Sequence, residues 1–138
     1  KFNEEYGFIE PSATFHRFMT GLTGEKMSSS KPKSAIYLTD SLKDAVKKVK
    51  SAKTGGRESL KEQKELGGMP DKCSIYELLV YHLIDDDKKL EEIRSKCLSG
   101  EILCGNCKGC ASELITDMFE ELDQKREEAR KIANTLLK

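Results

Sequence analysis

The chain has 138 residues, of which 37% are hydrophobic and 35% are charged, and its formal net charge is zero. This composition is typical of a small, helix-rich globular protein that is large enough to bury a core. No run of 18 apolar residues occurs, so we expect neither a membrane-spanning helix nor a signal peptide.

Positive charge is concentrated in residues 26–64, which contain 11 Lys and Arg against 4 Asp and Glu. Residues 65–138 contain 11 against 16, so this part of the chain is acidic. A basic stretch attracts phosphate groups, whether those of ATP or those of an RNA backbone. A solvated helix with many lysines is the alternative explanation of the same pattern.

Residues 8–25 are predicted to be irregular or to form short extended pieces. Gly7, Pro11, Gly21 and Gly24 interrupt any regular pattern before residue 25. A short strand or extended run is predicted over Ser34–Leu38.

Two helices are predicted to follow. The first covers residues 41–52, because apolar residues recur there at spacings of three and four. The second covers the polar residues 58–66 and stops at a glycine pair and a proline. The N-cap candidates of the first helix are Thr39, Asp40 and Ser41.

Three further helices are predicted in the rest of the chain. Ser74-x-x-Glu77 indicates a capping box at the start of one. The acidic run Asp85–Asp87 is predicted to cap and begin the next, which Gly100 ends. The last is one long helix from about residue 107 to residue 137. Its predicted apolar stripe is Cys110, Leu114, Ile115, Met118, Phe119, Leu122, Ala129, Ile132, Ala133 and Leu136.

The segment from Gly21 to Lys31 has the composition of a phosphate-binding loop. It combines glycines with three consecutive serines between Lys26 and Lys31. Such a loop offers backbone N–H groups, hydroxyls and cationic side chains to a polyphosphate. A plain solvated loop is the alternative that composition alone leaves open.

The run Lys26-Met27-Ser28-Ser29-Ser30 resembles the KMSKS signature of class I aminoacyl-tRNA synthetases. Residues 31–40 are similar to the tryptophanyl-tRNA synthetases of archaeal and eukaryotic type. Three further segments, 55–58, 65–68 and 85–94, resemble the same family in order and spacing. The fourth signature position, often a second lysine, is Ser29.

The resemblance implies a fold and a place in a longer protein. Residues 1–40 correspond to the tail of a Rossmann-type class I catalytic domain, with the signature loop. Residues 41–138 correspond to a mainly α helical bundle, the anticodon-binding domain. The family's His-Ile-Gly-His-type motif, nucleotide-binding strands and tryptophan pocket have no counterpart here, so we expect a C-terminal fragment that is inactive by itself.

The resemblance also implies an activity. The parent enzyme activates tryptophan with ATP and Mg²⁺ and transfers it to its tRNA, and we expect a cytoplasmic homodimer. Lys26 is the implied catalytic residue, with help from Lys31. The implied ATP-binding residues are Lys26, Met27, Ser28, Ser29 and Ser30. The rival hypothesis is a stand-alone RNA-binding or metal-binding helical module without catalysis.

Five cysteines form the second informative pattern. Cys104, Cys107 and Cys110 make a Cys-x2-Cys-x2-Cys run, in which small residues would permit a tight turn around sulfur. Because a cytoplasmic protein is kept reduced, metal binding is favoured over disulfides. Spacing alone leaves zinc and an iron–sulfur cluster as alternatives.

The family resemblance favours a [4Fe-4S] cluster, because some members carry one on Cys-x22-Cys-x6-Cys-x2-Cys. Here the implied ligands are Cys73, Cys97, Cys104 and Cys107, with a first gap of 23 residues instead of 22. Cys110 is an extra cysteine that could substitute for one of them. Zn²⁺ remains the alternative, and burial as a small apolar residue is the simplest explanation of Cys73 or Cys110.

Bases in RNA loops are read by aromatic stacking and by hydrogen bonds to their edges. A carboxylate can accept a hydrogen bond from a cytosine amino group, and the tryptophan anticodon contains cytosines. The candidates for tRNA binding are Tyr76, Tyr81, Asp86, Lys88 and Arg94.

Overall fold

The computed structural model describes residues 3–7, 9, 12–15 and 18–136. Within these residues the regular structure is helical and contains no β-strand, so the mainly α prediction is confirmed. The α-helices are α1 (Asn3–Tyr6), α2 (Leu42–Ser51), α3 (Leu60–Leu66), α4 (Ser74–Leu78), α5 (Asp87–Leu98) and α6 (Cys104–Leu136). Short 3-10 turns cover Pro32–Ser34 and Pro70–Lys72, and a π-helical turn, Leu79–Leu83, continues α4.

Of the short strand or extended run predicted over Ser34–Leu38, the strand does not form. Ser34 closes a 3-10 turn, and Ala35 is extended with φ −142° and ψ 153°. The chain then turns again, because the Asp40 amide donates a hydrogen bond to the Tyr37 carbonyl. An extended backbone without a partner strand is therefore all that the β-prone residues form.

Two helix starts and two helix ends follow the sequence prediction. Ser41 caps α2 by accepting a hydrogen bond from the Asp44 amide, and Asp86 caps α5 by accepting from the amides of residues 88 and 89. Gly67 and Gly100 follow α3 and α5 with φ of +69° and +75°. Glycine adopts this left-handed conformation without the steric cost that other residues meet.

The capping box predicted at α4 is wrong. Cys73 is the N-cap, and its Sγ accepts a hydrogen bond from the Tyr76 amide at 3.5 Å. Ser74 and Glu77 are therefore available for contacts outside the helix.

The core lies where α2 and α4 pack against the first half of α6. Ala45 and Val49 of α2 and Phe119 of α6 are almost completely buried. The stripe predicted on α6 is confirmed through Phe119. The core consists of Leu22, Ala45, Val49, Ala52, Cys73, Ile75, Leu78, Leu79, Ile84, Leu90, Ala111, Ile115 and Phe119.

The second half of α6 extends beyond this core. Ala129, Ile132, Ala133 and Leu136 are exposed, so the stripe prediction is wrong there, and residue 137 lies outside the described residues. Arg126 lies near the point where α6 extends beyond the core. Its guanidinium donates hydrogen bonds to the Asp123 carboxylate and to the carbonyl of residue 38. None of the described helices is long and apolar enough to cross a membrane.

Candidate functional site

The signature loop, Gly21–Ser34, is closed by short backbone hydrogen bonds. The Leu22 amide donates to the Ser34 carbonyl at 2.9 Å, which joins the two ends of the loop. A tighter turn lies inside it, where the Gly24 amide donates to the Gly21 carbonyl at 2.8 Å. A side chain at Gly24 would meet that of Lys53, with a Cβ 2.4 Å from its Cδ. The loop therefore has a definite backbone conformation.

Ser34 binds both ends of the segment that contains the serine run, at Ser28 and at Lys31. Its side chain is fully buried. The hydroxyl donates to the Lys31 carbonyl at 2.7 Å and accepts from the Ser28 amide at 3.0 Å. Nothing in the sequence separates Ser34 from the other serines, because only its burial distinguishes it.

The outer surface of the loop carries its polar side chains. Lys26 and Ser30 are exposed, and Ser28 is half-buried. The Ser28 and Ser30 hydroxyls lie 2.9 Å apart. Lys31 Nζ donates to the Glu25 carboxylate at 3.0 Å, and this hydrogen bond lowers the pKa of Glu25. Lys31 is thus paired within the loop, whereas Lys26 extends into solvent.

The root of the loop, Thr20 and Gly21, is attached to α4. Ser74 Oγ donates to the Gly21 carbonyl at 2.9 Å. The Glu77 carboxylate accepts from the Thr20 amide at 2.9 Å and from the Thr20 hydroxyl at 2.6 Å. Ser74 and Glu77 are the residues that the sequence predicted to cap their own helix.

The second candidate site is a pocket lined by four thiols, here called the thiol pocket. Cys73 comes from the N-cap of α4, Cys97 from the last turn of α5, and Cys104 and Cys107 from the start of α6. Apolar side chains fill most of the remaining wall. Cys110, one turn further along α6, is not a lining residue.

The tight turn expected for Cys-x2-Cys-x2-Cys is wrong, because these residues lie in helix α6. A Cβ at Gly105 or Gly109 would meet no atom within 4 Å, so neither glycine is needed for close approach. The glycines that are needed lie elsewhere. A Cβ at Gly56 would be 2.8 Å from the Sγ of Cys104, and one at Gly68 would be 2.8 Å from the Sγ of Cys97.

Burial raises the pKa of two of these thiols. Desolvation, with the neighbouring thiols, raises the pKa of Cys107 to about 12, and desolvation raises the pKa of Cys97. Within the described part of the chain, no three Cys, His, Asp or Glu side chains converge closely enough to hold a metal ion as they stand. The space between the thiols is about 10 Å³, which is room for about one water molecule.

One buried side chain near the thiol pocket, Gln63, has an unused hydrogen-bond donor. Gln63 is 4% exposed, and its Oε1 accepts from the Arg57 amide at 2.9 Å. Its Nε2 is the one buried side-chain nitrogen or oxygen without a hydrogen-bond partner in the described residues. This atom and the Sγ of Cys97 each lie 2.8 Å from the point where a Cβ on Gly68 would be. An unused N–H donor beside a thiol suits a thiolate bound to a metal.

The candidate tRNA-binding residues divide into two groups. Tyr76 is half-buried, lines the thiol pocket and donates through its hydroxyl to the Leu90 carbonyl at 3.3 Å. Asp86 caps α5, and Arg94 lies 3.6 Å from the carboxylate of residue 71. Tyr81 and Lys88 are exposed. Only Tyr81 and Lys88 therefore combine exposure with no structural role assigned above.

A protein-family model, that of the class I tRNA synthetases for tryptophan and tyrosine, matches residues 1–120 of the sequence. The chain therefore belongs to this family of class I aminoacyl-tRNA synthetases, as its signature loop indicated.

Two curated relatives of the chain are both tryptophan–tRNA ligases. The chain is 57% identical over 134 residues to the tryptophan–tRNA ligase of Methanocaldococcus jannaschii, covering 97% of this chain and 36% of that protein. It is 54% identical over 130 residues to the tryptophan–tRNA ligase of Methanopyrus kandleri, covering 92% of this chain and 35% of that protein. The resemblance to the archaeal type of tryptophan–tRNA ligase is confirmed, and the chain spans about a third of these relatives.

Solved structures agree with this assignment. The crystal structure of tryptophanyl-tRNA synthetase from Aeropyrum pernix K1 matches 97% of this chain with 37% of its own, with a TM-score of 0.86 and 41% identity. The tryptophanyl-tRNA synthetase homologue from Entamoeba histolytica matches 91% of this chain with 34% of its own, with a TM-score of 0.80 and 27% identity.

Proposed function

We propose that this chain supplies the signature loop and the anticodon-binding helices of a tryptophan–tRNA ligase. That enzyme forms tryptophanyl adenylate and pyrophosphate from tryptophan and ATP, and then esterifies tRNA. The observation that carries the proposal is the signature loop, in which Ser34 holds the serine run from below while Lys26 and Ser30 point outward.

Lys26 would stabilise the negative charge that develops on pyrophosphate as it leaves. An ammonium group held beside a phosphate leaving group acts by positioning and electrostatics, and needs no covalent step. The hydroxyls of Ser28 and Ser30 would donate hydrogen bonds to phosphate oxygens. Ser29 stands where the signature often has a second lysine, so Lys26 would carry most of this charge stabilisation.

Exposed apolar side chains near the start of the chain support a place in a longer enzyme. Ile9 and Phe15 are each 94% exposed, and Tyr6 and Phe18 are 62% and 57% exposed. Large apolar side chains grouped in this way usually mark an interface. In the complete ligase the remaining catalytic domain would cover them, and the assembled enzyme would be a cytoplasmic homodimer.

The thiol pocket would hold a metal centre on Cys73, Cys97, Cys104 and Cys107. The cysteine spacing favours a [4Fe-4S] cluster, whereas the small volume of the pocket favours the alternative, a single Zn²⁺. Either centre would act as a structural cross-link between the start of α4, the end of α5 and the start of α6. The amide of Gln63 would donate a hydrogen bond to the Cys97 thiolate.

The tRNA would be recognised by the helical part of the chain. Tyr81 offers an exposed ring on which an unstacked base can lie, and Lys88 offers a positive charge at the start of α5. Asp86 and Arg94 flank Lys88 along the same helix and would support that surface. Tyr76 would contribute only by packing.

The test is Lys26→Ala in the full-length ligase that contains this chain. We expect the turnover rate of tryptophan-dependent ATP–pyrophosphate exchange to fall about 100- to 1,000-fold, as when one preorganised donor to a transition state is removed. The Michaelis constant for tryptophan should stay the same. Lys33→Ala, a matched loss of an exposed lysine in the same loop, should change the rate less than about threefold. An unchanged rate in Lys26→Ala would overturn the proposal.

A further inference from the structure

The attachment of the signature loop to α4 gives two residues a role in the activation reaction. We propose that Ser74 and Glu77 are positioning residues that hold the root of the loop and thereby the placement of Lys26. This inference rests on the proposed function of Lys26 and adds residues that do not touch the substrates.

Several hydrogen bonds join the root to the helix, including one between the Thr20 and Ser74 hydroxyls, whose oxygens lie 3.5 Å apart. Ser74 Oγ donates to the Gly21 carbonyl at 2.9 Å, and Glu77 accepts from the amide and the hydroxyl of Thr20 at 2.9 and 2.6 Å. They link residues more than 50 positions apart in the chain. Contacts of this range specify where the loop sits on the helices, which the loop's internal hydrogen bonds cannot do.

Burial makes these contacts strong determinants of position. Ser74 is 2% exposed and Glu77 is 8% exposed. A buried carboxylate or carbonyl that loses its partner pays a desolvation cost that water does not recover. The root is therefore confined to one arrangement on α4.

The inner turns transmit this placement to Lys26. Gly21 also donates to the Glu25 carbonyl at 2.6 Å, next to Lys26 in sequence. A side chain at position 21 is excluded, because its Cβ would be 2.6 Å from the Ser34 carbonyl oxygen. A shift of Gly21 would therefore move the two parts of the loop that it contacts, at Glu25 and at Ser34. Misplacement of a catalytic group by about 1 Å can cost about 100-fold in rate.

The proposal is tested in the full-length ligase with Ser74→Ala and Glu77→Gln. We expect the turnover rate of pyrophosphate exchange to fall about fivefold for Ser74→Ala and tenfold or more for Glu77→Gln, in line with neutral and charge-assisted hydrogen bonds. The Michaelis constant for tryptophan should be unchanged in both. Ser74→Thr keeps the hydroxyl and should restore most of the rate.

The decisive measurement is the same pair of changes in a Lys26→Ala background. Residues that act through Lys26 should then change the rate less than about twofold, because coupled residues give non-additive effects. An equal loss in both backgrounds would overturn the proposal, and so would an unchanged rate in Ser74→Ala and Glu77→Gln variants that fold. If Lys26→Ala alone had no effect, the proposed function would fail instead.

Two further variants separate positioning from stability. Ser112→Ala removes the hydroxyl of another buried serine, which is 8% exposed and donates to the Lys108 carbonyl at 2.7 Å within α6. It should leave the exchange rate within about twofold of the parent. Should Glu77→Gln fail to fold, Thr20→Val removes only the hydroxyl donor and should lower the turnover rate about fivefold; a rate equal to that of the parent would overturn the proposal.

Discussion

The signature loop and the thiol pocket are adjacent regions built in opposite ways. The loop is formed by one continuous segment, and its polar side chains face outward around the buried Ser34. The pocket is formed by residues from three successive helices, α4, α5 and α6, and four thiols line it. The loop is organised by hydrogen bonds within a short segment. The pocket depends on close backbone approach at Gly55, where a Cβ would be 1.9 Å from the Met69 carbonyl oxygen.

The two regions meet at the first turn of α4. Cys73 caps this helix and lines the thiol pocket, and the next residue, Ser74, holds the root of the signature loop. Lys53 makes a second link, because its amide donates to the Leu22 carbonyl at 2.7 Å while its neighbour Thr54 lines the pocket. The signature loop and the thiol pocket therefore share one helix start.

The largest expected effect concerns whether the chain that contains the signature loop can catalyse tryptophan activation by itself. The 138-residue chain by itself should show no tryptophan-dependent ATP–pyrophosphate exchange, because it spans about a third of its relatives and activation requires groups that hold tryptophan and ATP together. Pyrophosphate exchange measured on the pure chain checks this. The full-length ligase is the control, and exchange above background in the isolated chain would show that the loop region is sufficient.

The next effect concerns the metal content of the pocket. Cys104→Ser should abolish the metal in anaerobically purified protein, since Cys104 lines the pocket, and Cys110→Ser should retain it, since Cys110 does not. Iron and zinc analysis with absorption spectra gives the readout. Iron with a brown colour supports the cluster, and about one zinc per chain in a colourless sample supports the alternative. The opposite pattern in the two variants would mean that a different set of four cysteines binds.

The sequence predicted the loop better than the pocket, for a physical reason. The loop's residues are contiguous, so composition and order were enough to indicate them. The cysteine spacing indicated the four thiols, but their local structure was predicted as a tight turn when it is the start of α6. Local patterns cannot report which residues approach in space, and Gln63 and Ser34 were missed for that reason.

Ser74 and Glu77 illustrate the same limit. Their spacing matches a capping box, but Cys73 is the N-cap of α4. The Ser74 and Glu77 side chains instead form hydrogen bonds with the root of the signature loop. A tertiary contact thus replaced a local one that the sequence favoured. The exposed second half of α6 is a further case, because an apolar stripe does not reveal where its partner helices end.

A pair of glycine substitutions tests whether backbone approach holds the pocket. Gly67→Ala should destabilise the chain by about 2–4 kcal/mol, because φ is +69° and the new Cβ would lie 1.8 Å from the Leu98 carbonyl oxygen. Gly109→Ala, in open space within α6, should stabilise it by about 0.5–1 kcal/mol. Urea unfolding followed by circular dichroism measures both. Equal effects of the two substitutions would contradict the role given to close approach.

The smallest effect concerns the polar contacts between the end of the loop region and α2. Asp40 accepts from Lys48 Nζ at 2.5 Å and from the Tyr37 amide at 2.9 Å, and the Asp40 and Lys48 side chains are 16% and 14% exposed. Burial raises the pKa of Asp40, but these two hydrogen bonds outweigh it and hold the pKa below its ordinary value. Stability from a lowered carboxyl pKa is present above the unfolded-state pKa of about 3.9 and is lost as the pH falls through the folded-state value.

Asp40→Asn should therefore lower the free energy of unfolding by about 1–2 kcal/mol at pH 7, and by progressively less below about pH 4. Asp117→Asn, an exposed carboxyl on α6, should change it by less than about 0.5 kcal/mol at either pH. Unfolding curves from pH 3 to pH 7 give the comparison. A difference between Asp40→Asn and the parent that stayed constant with pH would mean that the Asp40 charge does not stabilise the contact with α2.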